Sequence, residues 1–371
     1  MFRKFKIFTG LTGLLLILNT SIMEAQLLQD TSTLRLVKKD IDYIYNLQFT
    51  EATELYTKIA NAYPEHPVVY LLRGMMTYWE NFPLLNTSAA KASFEEDLRQ
   101  CIKVSEKNKN PDYEVEYLLA DLCARGFLLM YYSDNNIVME VIPLASNSYK
   151  YMRRSFDFTS VCTDLYYFTG VYNYYIEAYP KAYPVYKPLT LMFPSGDIQA
   201  GLNQLNTASI NSVVLRAEAS YILTYIYENF ENDFLKAYKY SSSLHDNYPQ
   251  NLRFLTAYIK NLLFLKRYDE ADQLIESRVA KSPNQYFQAQ ISIFKGILKE
   301  KKDLDNVVAE QFYNQGIRNL YLYGNYGNEY AAYGYFGLSR ISETKSEKQA
   351  SKLYRKEALR LADFKKNNFD K

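Results

Sequence analysis

The sequence feature that most constrains the fold is a pattern of one aromatic residue, one alanine and one proline that recurs at fixed spacing. In every copy the alanine follows the aromatic residue by 3 positions and precedes the proline by 12. The second and third alanines are 34 positions apart. An internal period of this length is typical of helical repeats that stack into a solenoid. The three copies comprise Phe49, Ala52 and Pro64; Phe234, Ala237 and Pro249; and Tyr268, Ala271 and Pro283.

Each residue of the pattern has a physical reason for its position. Two antiparallel helices approach closely only where one of them carries a small side chain, and the alanine meets that need. The aromatic residue one turn earlier fills the angle between the helices, and the proline ends the second helix because its ring cannot continue it. Apolar residues elsewhere recur at helical spacing rather than in strand alternation. The sequence therefore predicts an all-α protein, an α-solenoid of about six or seven antiparallel helix pairs.

The spacing resembles the tetratricopeptide repeat, a 34-residue unit of two antiparallel helices. The resemblance implies that an extended peptide of a protein partner binds along the concave face, which the first helix of each pair lines. On that basis the groove residues on first helices include Asn229, Arg253, Lys260 and Tyr335. The positive charges of Arg253 and Lys260 suit a peptide carboxylate.

A proline- and tyrosine-rich insertion, at about 179–195, interrupts the helical pattern. The glycine-spaced run that follows, 196–201, is not a phosphate loop, because the lysine and the serine or threonine required next are absent. We expect Ser195 or Asp197 to cap a helix that begins there. The prolines of the segment stiffen it into a defined elbow; they are Pro180, Pro184, Pro188 and Pro194.

Residues 166–205 are also similar to a segment of the eukaryotic inclusion-body-clearance family of tetratricopeptide proteins. In that family a Gly-x-x-Asn helix precedes a proline-bearing bend, a Phe-x-Ser-Gly-Asp turn and a Gly-Leu pair. The similarity implies a shared helical architecture and nothing about function. The matching positions are Gly170, Asn173, Phe193, Ser195, Gly196, Asp197, Gly201 and Leu202.

Tyrosine is unusually frequent, with 37 copies in the chain, and it clusters at 166–186 and 321–336. A tyrosine ring joins a large apolar face to a polar tip, so it suits a recognition surface as well as a half-buried core position. Both interpretations stay open at this stage. If the clusters face a ligand, the candidate tyrosines are Tyr175, Tyr179, Tyr183, Tyr326 and Tyr335.

The N-terminus predicts export. Arg3, Lys4 and Lys6 precede a mostly apolar run, and Ala25 offers a small residue for cleavage, so residues 1–25 read as a signal peptide and 26–371 as a single solenoid. We expect no membrane span after cleavage, and a location in the periplasm or at the outer membrane of a Gram-negative bacterium. The chain has 43 basic and 41 acidic side chains, and 1–25 hold three of the former and one of the latter. The neutral remainder argues against a nucleic-acid partner.

Motifs for catalysis, cofactors or metals are absent from the sequence. The two histidines, His66 and His245, lie in unrelated places, and no metalloprotease, serine-hydrolase or calcium-loop pattern occurs. We expect Cys101, Cys123 and Cys162 to be buried thiols, because an odd number of distant cysteines makes no disulfide framework. We therefore predict no cofactor and no enzymatic activity.

The leading hypothesis is a non-catalytic scaffold of the cell envelope that binds a protein or peptide. The second is a helical receptor for a small molecule or glycan, with the tyrosine clusters as stacking platforms. The third is a hydrolase that uses carboxylates, whose catalytic partners can be distant in the sequence.

Overall fold

The computed structural model describes residues 30–279, 282–362 and 369–370. Within them the chain forms seventeen α-helices, numbered α1–α17 in chain order, and no β-strand. Sixteen of these helices make eight consecutive antiparallel pairs, and the remaining one, α8 (Lys187–Thr190), is a single turn. The predicted all-α solenoid is confirmed, with eight pairs where the sequence indicates six or seven. The expected signal peptide, 1–25, lies outside the described residues.

The first helices of the eight pairs are α1 (Thr31–Tyr45), α3 (Pro67–Glu80), α5 (Glu114–Asp134), α7 (Leu165–Ala182), α10 (Arg216–Asn229), α12 (Leu252–Phe264), α14 (Gln285–Lys301) and α16 (Asn325–Thr344). The second helices are α2 (Phe49–Ala62), α4 (Lys91–Lys107), α6 (Val138–Ser155), α9 (Ile198–Asn211), α11 (Phe234–Asn247), α13 (Tyr268–Leu274), α15 (Asn306–Leu320) and α17 (Lys348–Leu361). Helix α13 continues as a π-helical turn, Ile275–Val279.

One tight turn recurs inside the pairs. In six of the eight pairs the two helices are joined through a non-glycine residue in the left-handed region, with φ between 54° and 64°. The exceptions are the pair α3 and α4, which a longer loop connects, and the pair α7 and α9, which the proline-rich segment connects. The turn residues are Leu47, Asn136, Asn232, Lys266, Leu304 and Ser346. This shared turn shows that α5 and α6 are a repeat unit although their sequence lacks the aromatic–alanine–proline pattern.

Small residues lie where the helices of a pair cross. Ala52, Ala237 and Ala271 are fully buried in their second helices. A Cβ atom added at Gly74 would lie 2.6 Å from the Leu98 side chain, so α3 and α4 meet closely at that glycine. The three cysteines are buried and unlinked, as the sequence predicts.

The first three pairs pack against the last four through their first helices. The ring of Trp79 lies 5.6 Å from that of Phe254, and the ring of Phe82 lies 6.2 Å from that of Phe287. The amide of Asn251 donates a 2.7 Å hydrogen bond to the carbonyl of Tyr45. The two halves thus meet through aromatic side chains of the chain itself. None of the helices described combines the length and the hydropathy that a bilayer-spanning segment needs.

Candidate functional site

Arg253, which the sequence places in a concave groove, lies inside the contact between the two halves of the molecule. Its guanidinium group stacks over the ring of Tyr221 at 4.5 Å and over that of Phe82 at 4.9 Å. It also donates a 3.4 Å hydrogen bond to the hydroxyl group of Tyr78. Cation–π contacts orient an arginine over neighbouring rings, so the guanidinium group of Arg253 is engaged by aromatic side chains of its own chain.

Lys260 is likewise engaged within the chain. Its ammonium group lies 2.9 Å from a carboxylate oxygen of Glu228 and 2.6 Å from one of Glu329. The amide of Asn261 donates a further hydrogen bond to Glu228, at 2.7 Å. Burial raises the pKa of Glu228, and the lysine beside it acts in the opposite direction. These three charged residues join α10, α12 and α16, and the buried Lys260 and Glu228 depend on each other for compensation of their charges.

The other candidate residues are spread over three places. The hydroxyl group of Tyr326 donates to the carbonyl of Leu84 at 3.2 Å, and the ring of Tyr335 stacks on Tyr354 between α16 and α17. Asn229 donates to the carbonyl of Tyr225 at 3.1 Å. The eight candidates therefore do not meet on one surface.

Two of the candidate tyrosines, Tyr175 and Tyr179, lie on α7, and Tyr183 follows its last residue. Tyr175 packs against Phe230, with ring centroids 5.3 Å apart, on the side of α7 that faces α10. Tyr179 and Tyr183 instead stack on each other at 4.7 Å, and Tyr186 joins them at 5.3 Å from Tyr179. The tyrosine cluster of the segment is thus a stack of three rings, of which Tyr179 and Tyr186 are exposed.

The proline-rich connection between α7 and α9, residues 183–197, is called the elbow below. Hydrogen bonds fix its end to α7: the hydroxyl group of Tyr172 donates to the carbonyl of Pro194 at 2.6 Å. The backbone N–H of Gly196 donates to a carboxylate oxygen of Glu177 at 3.1 Å. A Cβ atom at position 196 would lie 2.5 Å from the carbonyl oxygen of Asn173, so only glycine permits this approach. The elbow is therefore an ordered element.

Two further features fix the course of the elbow. The ring of Phe193 meets the ring of Tyr149 on α6 edge to face at 5.0 Å. The side chain of Asp197 accepts a 2.8 Å hydrogen bond from the N–H of Ala200 and caps α9, as the sequence predicts. Between these anchors and the end of α7, the middle of the elbow is exposed to solvent.

Several of the exposed side chains of the elbow are large and apolar. Val185, Leu191 and Met192 are 80%, 79% and 77% exposed, values that are unusual for large apolar residues. Contiguous apolar exposure on a folded chain marks an interaction site more often than an isolated exposed residue does. We call this set the elbow surface; it consists of Tyr179, Val185, Tyr186, Leu189, Leu191 and Met192.

A cavity of about 570 Å³ lies between the elbow and α7, next to the elbow surface. Its apolar lining includes Ile176, Pro180 and Leu191, and Lys181 and Lys187 bring positive charge to it. No aspartate or glutamate occurs from 178 to 196. The elbow and the end of α7 together offer apolar side chains, a recess and two ammonium groups, and they suit an apolar segment with negative charge beside it.

Sequence reasoning selected the tyrosines of the elbow but not its most exposed residues. Val185, Leu189, Leu191 and Met192 stand in a stretch bounded by prolines, which cannot form a long amphipathic helix. Apolar residues in such a stretch cannot be buried together on one face of a helix. Apolar residues between closely spaced prolines are therefore a sequence pattern that predicts an exposed patch. Among the described residues, no group of three or more histidine, cysteine or acidic side chains has the arrangement of a metal site.

Comparison with models of known protein families, with curated proteins and with solved structures finds no match for the chain.

Proposed function

We propose that the chain is an exported, non-catalytic scaffold, a tetratricopeptide-like α-solenoid that binds a partner protein through the elbow surface. The observation that carries the proposal is the exposure of six large apolar side chains, five on the anchored, proline-stiffened elbow and one, Tyr179, near the end of α7. A rigid element loses little conformational entropy on binding, so apolar contacts made by it convert efficiently into affinity.

The packing of the inner face supports this location. In a peptide-binding solenoid of the usual kind the first helices line an open groove, whereas here Arg253 and Lys260 engage their own chain. A partner that inserted there would have to displace buried aromatic rings and a buried ion pair. The elbow surface is already exposed to solvent and needs no such rearrangement.

The charge of the elbow indicates the chemistry of the partner. Lys181 and Lys187 flank the apolar residues, and the only nearby carboxylate that lines the recess, Glu177, accepts the hydrogen bond of Gly196. We infer that the partner presents an extended segment with apolar side chains next to acidic ones. The neutral charge of 26–371 supports a protein partner in preference to a nucleic acid.

The experiment is affinity capture from envelope extracts of the source cells with three forms of the chain. The forms are the unmodified chain, an elbow variant with Leu191→Asp and Met192→Asp, and a control with Leu353→Asp and Leu359→Asp. The control residues are exposed apolar residues on α17, so both variants add two charges to the surface without touching the core. We expect the unmodified chain and the control to retain the same partner and the elbow variant to lose it. Equal capture by all three forms, or no protein above bare resin, contradicts the proposal.

A further inference from the structure

The last helix of the solenoid, α17, packs on α16 with one face and exposes the other to solvent. Its Ala358 is fully buried, and the ring of its Tyr354 stacks on that of Tyr335. The described residues after α17 form no further helix. The ring of Phe369 lies 4.4 Å from that of Phe264, so this part of the chain end packs on α12. The outer face of α17 is therefore accessible to a partner.

That exposed face carries basic and apolar side chains and no acid. Lys348, Lys352 and Lys356 follow one another at intervals of 4 positions, about 6 Å along the helix axis, and so form one row. Leu359 continues the row one turn later, and Leu353 lies beside it. These three lysines and two leucines are called the terminal face below. The exposed residues of the helix are Lys348, Gln349, Lys352, Leu353, Arg355, Lys356, Leu359 and Arg360.

The lysines of the terminal face keep their charge unneutralised by the chain, since none of them forms an ion pair with a described residue. The two arginines at the edges of the exposed face are, in contrast, paired. Arg355 lies 3.4 Å from Asp370. Arg360 lies 2.9 Å from Glu357, the single acid within the helix, and Glu347 precedes the helix as its N-cap. Free positive charge is thus concentrated along the centre of the exposed face.

Two leucines accompany this charge, with Leu353 59% and Leu359 53% exposed. An unpaired lysine or one exposed leucine is ordinary on a protein surface. A row of lysines with leucines on the same helical face matches the interface of an anionic bilayer, because headgroup phosphates attract ammonium groups and the acyl boundary takes up leucine. Lysine stems can lie along that boundary while the ammonium groups reach the phosphates.

The shape of the terminal face favours a lipid surface over an acidic protein segment. A peptide side chain is held best in a recess, and none of the described cavities is lined by α17. The terminal face is the convex side of a single helix. A bilayer surface is extended and fluid, so it covers a convex helix without a recess.

We propose that α17 docks on an anionic phospholipid bilayer through the terminal face. The helix lies in the plane of the membrane surface. Its row of lysines contacts the headgroup phosphates, and Leu353 and Leu359 enter the headgroup region. The attachment is peripheral and sensitive to salt, because exposed charges supply most of it.

Flotation of the purified chain with vesicles tests the proposal. One set of vesicles contains equal parts of phosphatidylglycerol and phosphatidylcholine, and the other contains phosphatidylcholine alone. The readout is the ratio of the two partition coefficients. We expect the unmodified chain to prefer the anionic vesicles at least tenfold at low salt, and to lose most of that preference at about 1 M salt.

A lysine variant combines Lys348→Gln, Lys352→Gln and Lys356→Gln, which keep good helix formers at exposed positions. Because each lysine near an anionic surface contributes roughly fivefold, this variant should lower the preference at least tenfold. The matched control removes the same charge from three exposed lysines on α2 and α4, and it should change the preference less than twofold. Its substitutions are Lys58→Gln, Lys103→Gln and Lys107→Gln.

A leucine variant with Leu353→Gln and Leu359→Gln separates a bilayer from a soluble polyanion. It should bind the anionic vesicles several-fold more weakly than the unmodified chain, although its charge is unchanged. Three results overturn the proposal: no preference of the unmodified chain for anionic vesicles, equal losses in the lysine variant and its control, or full binding by the leucine variant. Tighter binding of soluble polyglutamate than of vesicles would also overturn it and would assign the terminal face to an acidic protein.

Discussion

At the scale of single residues, Asp40 is the most unusual side chain of the interior. It lies on α1, it is inaccessible to solvent, and neither of its carboxylate oxygens has a hydrogen-bond partner. Burial raises its pKa from 3.8 to about 8. Because the folded-state pKa is the higher one, the folded chain holds the proton more tightly than the unfolded chain. Asp40 therefore stabilises the fold fully below about pH 4, and that contribution is lost as the pH rises towards 8.

Asp40→Asn removes this proton linkage. As the pH rises from 4 to 8, the unmodified chain should lose unfolding free energy relative to the variant. The relative loss should be up to about 1.4 kcal/mol per pH unit. Urea unfolding at several pH values measures it. Glu54→Gln on the neighbouring helix α2 is the control, since Glu54 is exposed, and it should follow the unmodified chain. Parallel pH curves for Asp40→Asn and the unmodified chain would show that Asp40 does not carry the proton.

At the scale of helices, the crossing of α7 and α9 depends on two glycines. A Cβ atom at Gly201 would lie 2.7 Å from the backbone nitrogen of Tyr174 and 2.9 Å from the carbonyl oxygen of Gly170. Both obstacles lie on α7, and backbone atoms cannot move aside as the end of a flexible side chain can. Gly201 is thus the small residue at the crossing of this pair, as Ala52 and Ala237 are in theirs.

Gly201→Ala should destabilise the fold by about 1–3 kcal/mol, because the added methyl group forces α7 and α9 apart. Gly126→Ala is the matched control: Gly126 lies within α5, and a Cβ atom there would meet nothing within 4 Å. That change should stabilise the chain by about 0.5–1 kcal/mol, since alanine is the better helix former. Chemical denaturation followed by circular dichroism separates the two outcomes, and a neutral or stabilising Gly201→Ala would refute the close crossing.

The helix pairs were predictable from the sequence because alanine and proline act locally. Their number was not, because the turn inside a pair is marked by backbone conformation rather than by residue type. Leu47 and Lys266 adopt the left-handed region at φ 58°, and neither residue type signals it. The exposed side of the elbow was only partly predictable: the prolines indicated a rigid bend, but which of its apolar residues face solvent depends on anchors such as Phe193 on α6.

At the scale of the whole molecule, the two halves of the solenoid close on each other. Phe82 and Phe287 are far apart in the sequence, and no local period encodes their contact. An open repeat array can unfold pair by pair, because each repeat contacts only its neighbours. Here Trp79 contacts Tyr45 on one side and Phe254 on the other, so loss of one half exposes the core of the other.

The single tryptophan of the chain reports on this closure. Trp79 fluorescence and the helical circular-dichroism signal should change at the same denaturant concentration, because the contact between the halves and the helices unfold together. Trp79→Phe gives the matched blank for the fluorescence signal. A fluorescence transition at clearly lower denaturant than the loss of helix would mean that the halves separate while the pairs persist, as in an open solenoid.

We propose that the molecule binds its partner through the elbow surface, and site-specific photo-crosslinking in the source cells tests that proposal most directly. A photoreactive amino acid replaces one of three residues. These are Leu191 on the elbow, Leu353 on α17 as an exposed control, and Tyr221 beside Arg253 at the contact between the two halves. We predict a discrete adduct with one other protein from position 191 and none from 353 or 221. Adducts from position 221, or none from 191, would contradict the account.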